Sequence, residues 1–170
     1  VNCSACRLDI STTECKPLAR TRVHTASSFR RCMAVQLNRG VDFPMVDLAN
    51  IAYYPRIFDL AHRFFEDAWP HICDVRYADL LLVRKTGFPV VHVESDFHAP
   101  LRYGDTITAT IWIDAIGESS CTWCYEFHNQ NRELLWTSSQ VTVCVNMESM
   151  KRQSIPEDLR QALSNCKRDE

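Results

Sequence analysis

The stretch that decides the fold runs from Pro55 to Trp69 and reads PRIFDLAHRFFEDAW. Its apolar residues recur at spacings of three and four, which is typical of an α-helix with one apolar side. Pro55 suits the first helical turn, where its missing N–H costs nothing, and Pro70 is expected to end the helix. Because the apolar arc is wide, we predict that most of the helix's circumference is buried.

Strand-like segments lie on both sides of this helix. The first, Phe29–Leu37, precedes it and is expected to end at the break Asn38–Gly40. Four more follow, joined by short polar turns: Phe88–Phe97, Thr106–Ala115, Ser119–His128 and Leu134–Val145. Thr106–Ala115 alternates strictly between apolar and other residues, and a strand of that length would risk aggregation if it were left unpaired at an edge. A short C-terminal helix is predicted to open near Ser154–Leu159.

One long apolar helix with about five antiparallel strands is an α+β arrangement. No second helix of similar length is present to cover it, so a curved sheet must wrap around the helix. That architecture is the hot-dog fold. We assign residues 29–170 to this domain and residues 1–28, which are polar and patternless, to an N-terminal extension.

The composition excludes several classes of protein. The chain has 170 residues, of which 46% are hydrophobic and 24% charged, and these values fit one globular domain. A formal net charge of −2 argues against binding to nucleic acid or to an anionic membrane. No apolar run approaches the roughly 20 residues of a membrane-spanning helix. The nine cysteines are odd in number and irregularly spaced, which predicts a reducing, cytoplasmic compartment rather than a disulfide scaffold.

Three motifs resemble the 4-hydroxybenzoyl-CoA thioesterase family of hot-dog proteins. Asp47–Asp59 (DLANIAYYPRIFD) resembles the signature that leads into the family's central helix. Gly87–Asp105 is similar to its second-strand and turn pattern, and Ser154–Leu159 to its closing helix. The resemblance implies an acyl-CoA thioesterase that requires no metal or bound cofactor. It also implies a homodimer or homotetramer with the active site at the seam between two chains.

By this resemblance, Asp47 matches the catalytic carboxylate, acting as nucleophile or general base. Tyr54 matches the residue whose backbone N–H polarises the thioester carbonyl. The unpaired N–H groups and positive dipole of a helix N-terminus suit that role. The sequence departs from the family pattern in two places. Asn50 stands where the family has Gly, although Asn tolerates positive φ. Met45 stands where the family often has a second Asp.

Further residues are candidates for binding the substrate. We expect an acyl pocket and its surroundings to include Asn50, Tyr53, Phe58, His62 and Arg102. The aromatic residues favour an aryl or short acyl group, although such residues are equally common in cores. For His62, a partly buried structural histidine is the favoured interpretation over a pocket residue. Arg102, Lys85 and Arg132 are candidates for the phosphates of coenzyme A, because Arg suits phosphate geometry.

A second carboxylate and two cysteine pairs have competing interpretations. Glu66 lies on the central helix, where another branch of hot-dog thioesterases places its carboxylate, but a solvated helix face explains it better. The spacing Cys3-x-x-Cys6 is that of a zinc knuckle, yet Cys15 and His24 complete it badly, so we predict no metal site. Cys121 and Cys124 have the same spacing within a strand. Residues three apart in a strand point to opposite faces, so we expect one in the core and one on the surface.

Two alternatives to a coenzyme A thioesterase remain open. The domain could be a non-catalytic module that binds acyl-CoA or an acyl carrier protein. The acyl carrier of an active enzyme could also be a protein rather than free coenzyme A. Asp47 separates the first alternative from an enzyme, because a binding module has no need of an unpaired carboxylate facing a thioester.

Overall fold

The structure, a computed structural model, describes residues 34–167. The predicted extension 1–28, with Cys3, Cys6, Cys15 and His24, lies outside the described residues, as do residues 29–33 of the first predicted strand. The elements are β1 Val35–Gly40, a 3₁₀ turn Phe43–Met45, α1 Tyr54–Cys73, α2 Tyr77–Leu82, β2 Thr86–Gly87, β3 Val90–Phe97, β4 Thr106–Ile116, β5 Ser120–His128, β6 Leu134–Val143, β7 Val145–Asn146 and α3 Glu157–Ser164.

Five of the strands form one antiparallel sheet in the order β1-β4-β5-β6-β3, and β2 and β7 pair separately. The long helix α1 packs on one face of this sheet, so the predicted α+β hot-dog architecture is confirmed. The long strand β4 lies inside the sheet, between β1 and β5, so it is not an edge strand. β1 and β3 are the edges.

Helix α1 continues past Pro70, and the prediction that Pro70 ends it was wrong. Pro70 removes the N–H that would bond to the Glu66 carbonyl four residues earlier. Both residues are exposed, so water can satisfy that carbonyl. Trp69, fully buried, and Ile72, packed on the core, hold the last turn in place. The helix ends at Cys73, because the C-cap residue Asp74 adopts a left-handed backbone (φ 52°).

The burial of α1 is one-sided, so the prediction that most of its circumference is buried was also wrong. Seven residues face the sheet and are buried: Ile57, Leu60, Ala61, Phe64, Phe65, Ala68 and Trp69. Charged residues occupy the other side, where Arg63 pairs with Asp59 at 3.1 Å and His62 with Glu66 at 3.4 Å. The buried side meets the aromatic rings of β5, with Phe65 and Trp123 ring centroids 4.9 Å apart.

Strand β1 includes the residues that were predicted to break it. Asn38, Arg39 and Gly40 pair with Thr108, Ile107 and Thr106 of β4. Pairing with a long neighbouring strand outweighs the weak turn preference of Asn and Gly in this context. Arg39 is fixed further by its ion pair with Asp67 of α1, 2.5 Å between nitrogen and oxygen.

The sheet has an inner, apolar face toward α1 and an outer, polar face. Cys121 is buried on the inner face and Cys124 is half-buried on the outer one, which confirms the prediction for this pair. Among residues 34–167, no three His, Cys, Asp or Glu side chains are placed to hold a metal ion. The helices in that range are all too short or too polar to span a membrane.

Candidate active site

The candidate catalytic carboxylate lies on a tight turn immediately before α1. The N–H of Asn50 donates to the Asp47 carbonyl at 3.0 Å, and the N–H of Asp47 donates to the Ile51 carbonyl at 3.1 Å. Asn50 adopts φ 59°, so the turn that the family makes with Gly is made here with Asn. One carboxylate oxygen of Asp47 accepts a bond from the Ala49 N–H at 2.8 Å. The Asp47 side chain is exposed and is oriented by this bond.

The turn is attached to the connection between β3 and β4. The N–H of Ala52 donates to the Leu101 carbonyl at 2.9 Å, and Ile51 forms a bridge with Arg102. Ala52 and Leu101 are both buried, so this junction belongs to the core. The Asp47 turn and the first residues of α1 are therefore held in one rigid unit.

The N-terminus of α1 presents backbone donors without a side-chain cap. Tyr53 is the N-cap residue, and its side chain makes no capping hydrogen bond. Tyr54 is the first helical residue, a position whose N–H has no acceptor within a helix, and Pro55 carries no N–H at all. The Arg56 N–H is satisfied by the Tyr53 carbonyl at 2.9 Å. The Tyr54 N–H is thus the donor that this helix end can offer to a ligand.

An apolar cleft of about 410 Å³ opens at this helix end. Its walls come from the segment before α1, from α1 itself and from the chain between β3 and β4: Ile51, Ala52, Tyr54, Ile57, Phe97, His98, Ala99, Pro100 and Leu101. Asp47 is not a wall residue, but its backbone is bonded to Ile51, which is one. The His98 ring nitrogen lies 3.0 Å from the Thr137 hydroxyl. Residues 97–101 lie within the Gly87–Asp105 motif, but that motif predicts no role for them in the wall of a cleft.

Three other predicted binding residues, Tyr53, Phe58 and Arg102, are next to cleft-wall residues in the chain but do not line the cleft themselves. Phe58 packs edge-on against Trp136, 5.9 Å between ring centroids, in the layer beneath. Tyr53 is exposed, and the Arg56 guanidinium lies 5.8 Å from its ring. Arg102 bridges to Ile51 through its backbone, while its N–H donates to the Asp105 carboxylate at 2.7 Å.

The predicted binding residue His62 and the alternative carboxylate Glu66 are not brought to this cleft. His62 and Glu66 pair with each other on the open side of α1, and neither lines the cleft. Glu66 instead borders a separate cleft of about 530 Å³ beside β1 and α2.

The candidate phosphate-binding cations lie at opposite ends of the sheet. Arg132 is at the tip of the β5–β6 hairpin, where Gln130 donates to the Asp105 carboxylate at 3.0 Å, and this end includes Arg102. Lys85 lies beside β7, with its carbonyl bonded to the Met147 N–H.

These features define a class of protein: a hot-dog domain whose ligand cleft opens at the N-terminus of the central helix, beside a turn that carries a carboxylate. Residues 31–163 match the family model described as the Thioesterase-like superfamily. The chain belongs to this family, and the resemblance and the enzyme class predicted from the sequence, a thioester hydrolase, are confirmed.

Relatives of this chain carry consistent names. It is 24% identical over 139 residues to the 1,4-dihydroxy-2-naphthoyl-CoA hydrolase of Nostoc punctiforme, covering 81% of this chain and 91% of the relative. A solved 1,4-dihydroxy-2-naphthoyl-CoA thioesterase from Synechocystis superposes with a TM-score of 0.69 at 20% identity, covering 77% of this chain and 96% of that one. A Staphylococcus aureus protein solved in complex with CoA gives a TM-score of 0.70 at 11% identity, covering 77% and 82%.

Proposed function

We propose that the protein hydrolyses an acyl-CoA to the free acid and coenzyme A, with Asp47 and the backbone N–H of Tyr54 as the catalytic groups. One observation carries this proposal. The uncapped N-terminus of α1 borders an apolar cleft, and the turn that bears Asp47 is hydrogen-bonded to the same rigid segment.

The reaction follows from this arrangement. The thioester carbonyl oxygen accepts a bond from the Tyr54 N–H, where the helix dipole stabilises the negative charge that develops on it. Acting as a base, Asp47 accepts a proton from water as the water oxygen adds to the carbonyl carbon. Acting as a nucleophile, it adds to that carbon itself and forms an anhydride, which water then cleaves. In both routes the carbon–sulfur bond breaks and the coenzyme A thiolate leaves.

An aryl acyl group fits the proposal best. The cleft is lined mainly by apolar side chains, and its wall includes two aromatic residues, Tyr54 and Phe97. Relatives are named for a dihydroxynaphthoyl thioester, which is aromatic. Tyr53 and Phe58 flank the helix start, and Asn50 projects from the turn beside it. Arg102 and Arg132, at one end of the sheet, are the cations we assign to the phosphates of coenzyme A. His62 and Lys85 have no part in this arrangement.

We expect the enzyme to be a homodimer, or a tetramer built from dimers, joined along β3. This edge strand has no partner among the described residues on its outer side. It exposes Val91, Val93 and Phe97, each by 40% or more, although strands with open apolar edges are normally covered. Because Phe97 also lines the cleft, a partner along β3 would complete the cleft wall.

We also propose a reducing compartment, the cytoplasm, as the place of the reaction. The five cysteines within residues 34–167 form no disulfide: Cys73, Cys121, Cys124, Cys144 and Cys166. Structural disulfides are the rule in small domains of oxidising compartments.

The test is thiol release from a panel of acyl-CoA thioesters by the wild type and by Asp47→Asn. The panel contains benzoyl-, 4-hydroxybenzoyl-, phenylacetyl-, short-chain and long-chain acyl-CoA. Asn can keep the bond from the Ala49 N–H, because its amide oxygen replaces the carboxylate oxygen, so the turn survives and only the charge is lost. We expect kcat to fall at least about 10³-fold, as for loss of a catalytic nucleophile or base.

Asp42→Asn is the matched control, since Asp42 is another exposed carboxylate near this segment whose side chain makes no capping bond. Its activity should equal that of the wild type. Full activity of Asp47→Asn would remove Asp47 from the mechanism. Binding of acyl-CoA without turnover by the wild type would establish the non-catalytic module instead.

A single turnover in heavy-oxygen water separates the two routes. Label found in the Asp47 carboxylate indicates the anhydride intermediate, whereas label confined to the product acid indicates direct attack by water.

A further inference from the structure

The outer face of the sheet, opposite α1, carries a groove of about 290 Å³ that the proposed reaction does not use. Three carboxylates and an indole line it: Glu94, Asp96, Glu126 and Trp112. The register of the strands places these four side chains close together. Glu126 lies opposite Thr137, which lies opposite Asp96, and these form one row across the outer face. Trp112, Cys124, Ser139 and Glu94 form the adjacent row in the same way.

The chain enters the sheet beside this groove. Val35 pairs with Ile111, so antiparallel register puts Ala34 next to Trp112. Beyond the Val35–Ile111 pair, the C-terminal segment occupies this edge of β4, because the Ile113 N–H donates to the Cys166 carbonyl at 3.0 Å and Lys167 bridges to Ile113. On the inner face, buried Cys166 and Leu163 fill the space. The outer face is therefore the open side for the chain that precedes Ala34.

The charges of the two parts of the chain are opposite. Residues 34–167 contain 17 Asp and Glu against 12 Lys and Arg. Residues 1–33 contain two carboxylates, Asp9 and Glu14, against six cations: Arg7, Lys16, Arg20, Arg22, Arg30 and Arg31. Arg30 and Arg31 are the cations nearest to Ala34 along the chain.

The chain between Ala34 and Arg31 is long enough to reach from β1 to Glu126. Glu126 on β5 lies two strand spacings from the line of β1, which is about 10 Å. Three residues of extended chain, the separation of Arg31 from Ala34, also span about 10 Å. The guanidinium is a good partner for carboxylates and for the face of an indole.

From these observations we propose that residues 29–33 of this chain bind in the outer groove, with Arg30 and Arg31 paired to Glu126, Glu94 and Asp96 beside Trp112. The groove lies on the face of the sheet opposite α1 and the candidate active site. The segment therefore fixes the C-terminal end of the N-terminal extension on the outer face and does not serve as a lid for the cleft.

Photo-crosslinking of the full-length protein tests this inference. The crosslinker p-benzoylphenylalanine replaces Ser139, which lies between Cys124 and Glu94 by register. In a matched control it replaces Gln161, an exposed residue of α3. Peptide mapping by mass spectrometry should find Ser139-site crosslinks to residues 23–33, and none from position 161. The double variant Arg30→Glu, Arg31→Glu should lower the crosslinked fraction about fivefold, as should raising the salt to 1 M.

Charge exchange provides a second measurement. Adding Glu94→Arg and Glu126→Arg to the double variant should restore crosslinking, because the pairs are re-formed with reversed signs. Mixing ¹⁴N- and ¹⁵N-labelled protein identifies the source of the segment. Crosslinks of mixed isotope would show that a second copy supplies it and would overturn the inference. So would the absence of crosslinks to residues 23–33, or crosslinking that ignores both charge and salt. Thiol release by the unmodified double variant should match the wild type, so the result does not depend on the proposed catalytic mechanism.

Discussion

Replacing Tyr125 with Phe is expected to stabilise this protein, which is unusual for a change at a fully buried residue. Tyr125 is 1% exposed on β5, and its hydroxyl has no hydrogen-bond partner among the described residues. Burial raises the pKa of Tyr125, so the hydroxyl stays neutral at every ordinary pH. A buried polar group without a partner costs about 1–3 kcal/mol of folding free energy. Removing its oxygen leaves only a small void.

Tyr77→Phe is the matched control, with the opposite sign expected. Tyr77 is also in the core, 9% exposed, but its hydroxyl accepts a bond from the Phe88 N–H at 3.3 Å. Removing that oxygen leaves a buried backbone N–H unpaired, which should cost about 1 kcal/mol or more. The same chemical change thus separates a partnered hydroxyl from an unpartnered one within one hydrophobic core.

Urea unfolding followed by tryptophan fluorescence measures both variants. We expect Tyr125→Phe to raise the free energy of unfolding by about 1–2 kcal/mol, allowing for the void. The melting temperature should rise by about 2–4 °C per kcal/mol for a domain of this size. Thiol release should be unchanged, because neither tyrosine lines the cleft. If both variants lose stability equally, the Tyr125 hydroxyl has a partner and the reasoning fails.

Three further predictions concern the active-site turn, an ion pair and a thiol. Asn50 adopts φ 59°, so Asn50→Gly should change the free energy of unfolding by only a few tenths of a kcal/mol, whereas Asn50→Ala should lower it by about 1–2 kcal/mol. Urea unfolding measures both variants, and equal stability of the two would contradict the left-handed turn. The hydrogen bond from Arg84 lowers the pKa of Asp158 below its usual 3.8, so the pair's contribution to stability should be fully present above about pH 4 and be lost progressively as the pH falls below that value. Asp158→Asn should therefore cost less than about 1 kcal/mol at pH 7 and progressively less in urea unfolding below pH 4, and a cost that does not shrink as the pH falls would refute the assignment. Burial, assisted by the charge of Asp158, raises the pKa of Cys73 to about 12; iodoacetamide at pH 8 should label it far more slowly than a free thiol, and mass-spectrometric mapping that shows rapid labelling would contradict its burial.

The helix and the strands could be predicted from the sequence because their signals are local. The three-and-four spacing within Pro55–Trp69 and the alternation within Thr106–Ala115 reflect which side of each element faces the core, and that is a property of neighbouring residues. The boundaries were less secure. Pro70 and Asn38–Gly40 carry breaking preferences of about 1–3 kcal/mol, and packing of Trp69 and pairing with β4 exceed them.

Only part of the candidate site could likewise be predicted from the sequence. Asp47, Asn50 and Tyr54 lie within eight residues and could be recognised as one motif before the helix. Three other features could not be recognised from the sequence: the cleft wall from Phe97 to Leu101, the separation of Lys85 from Arg102, and the pairing of His62 with Glu66 outside the cleft. They depend on which strands become neighbours, and the order β1-β4-β5-β6-β3 brings together residues more than forty positions apart. The sequence by itself therefore determined the central helix, the strands of the sheet and the family, and it indicated the candidate catalytic motif before the helix. Only the tertiary structure decided the walls of the cleft and the outer acidic groove, because long-range pairing leaves no periodic trace in the chain.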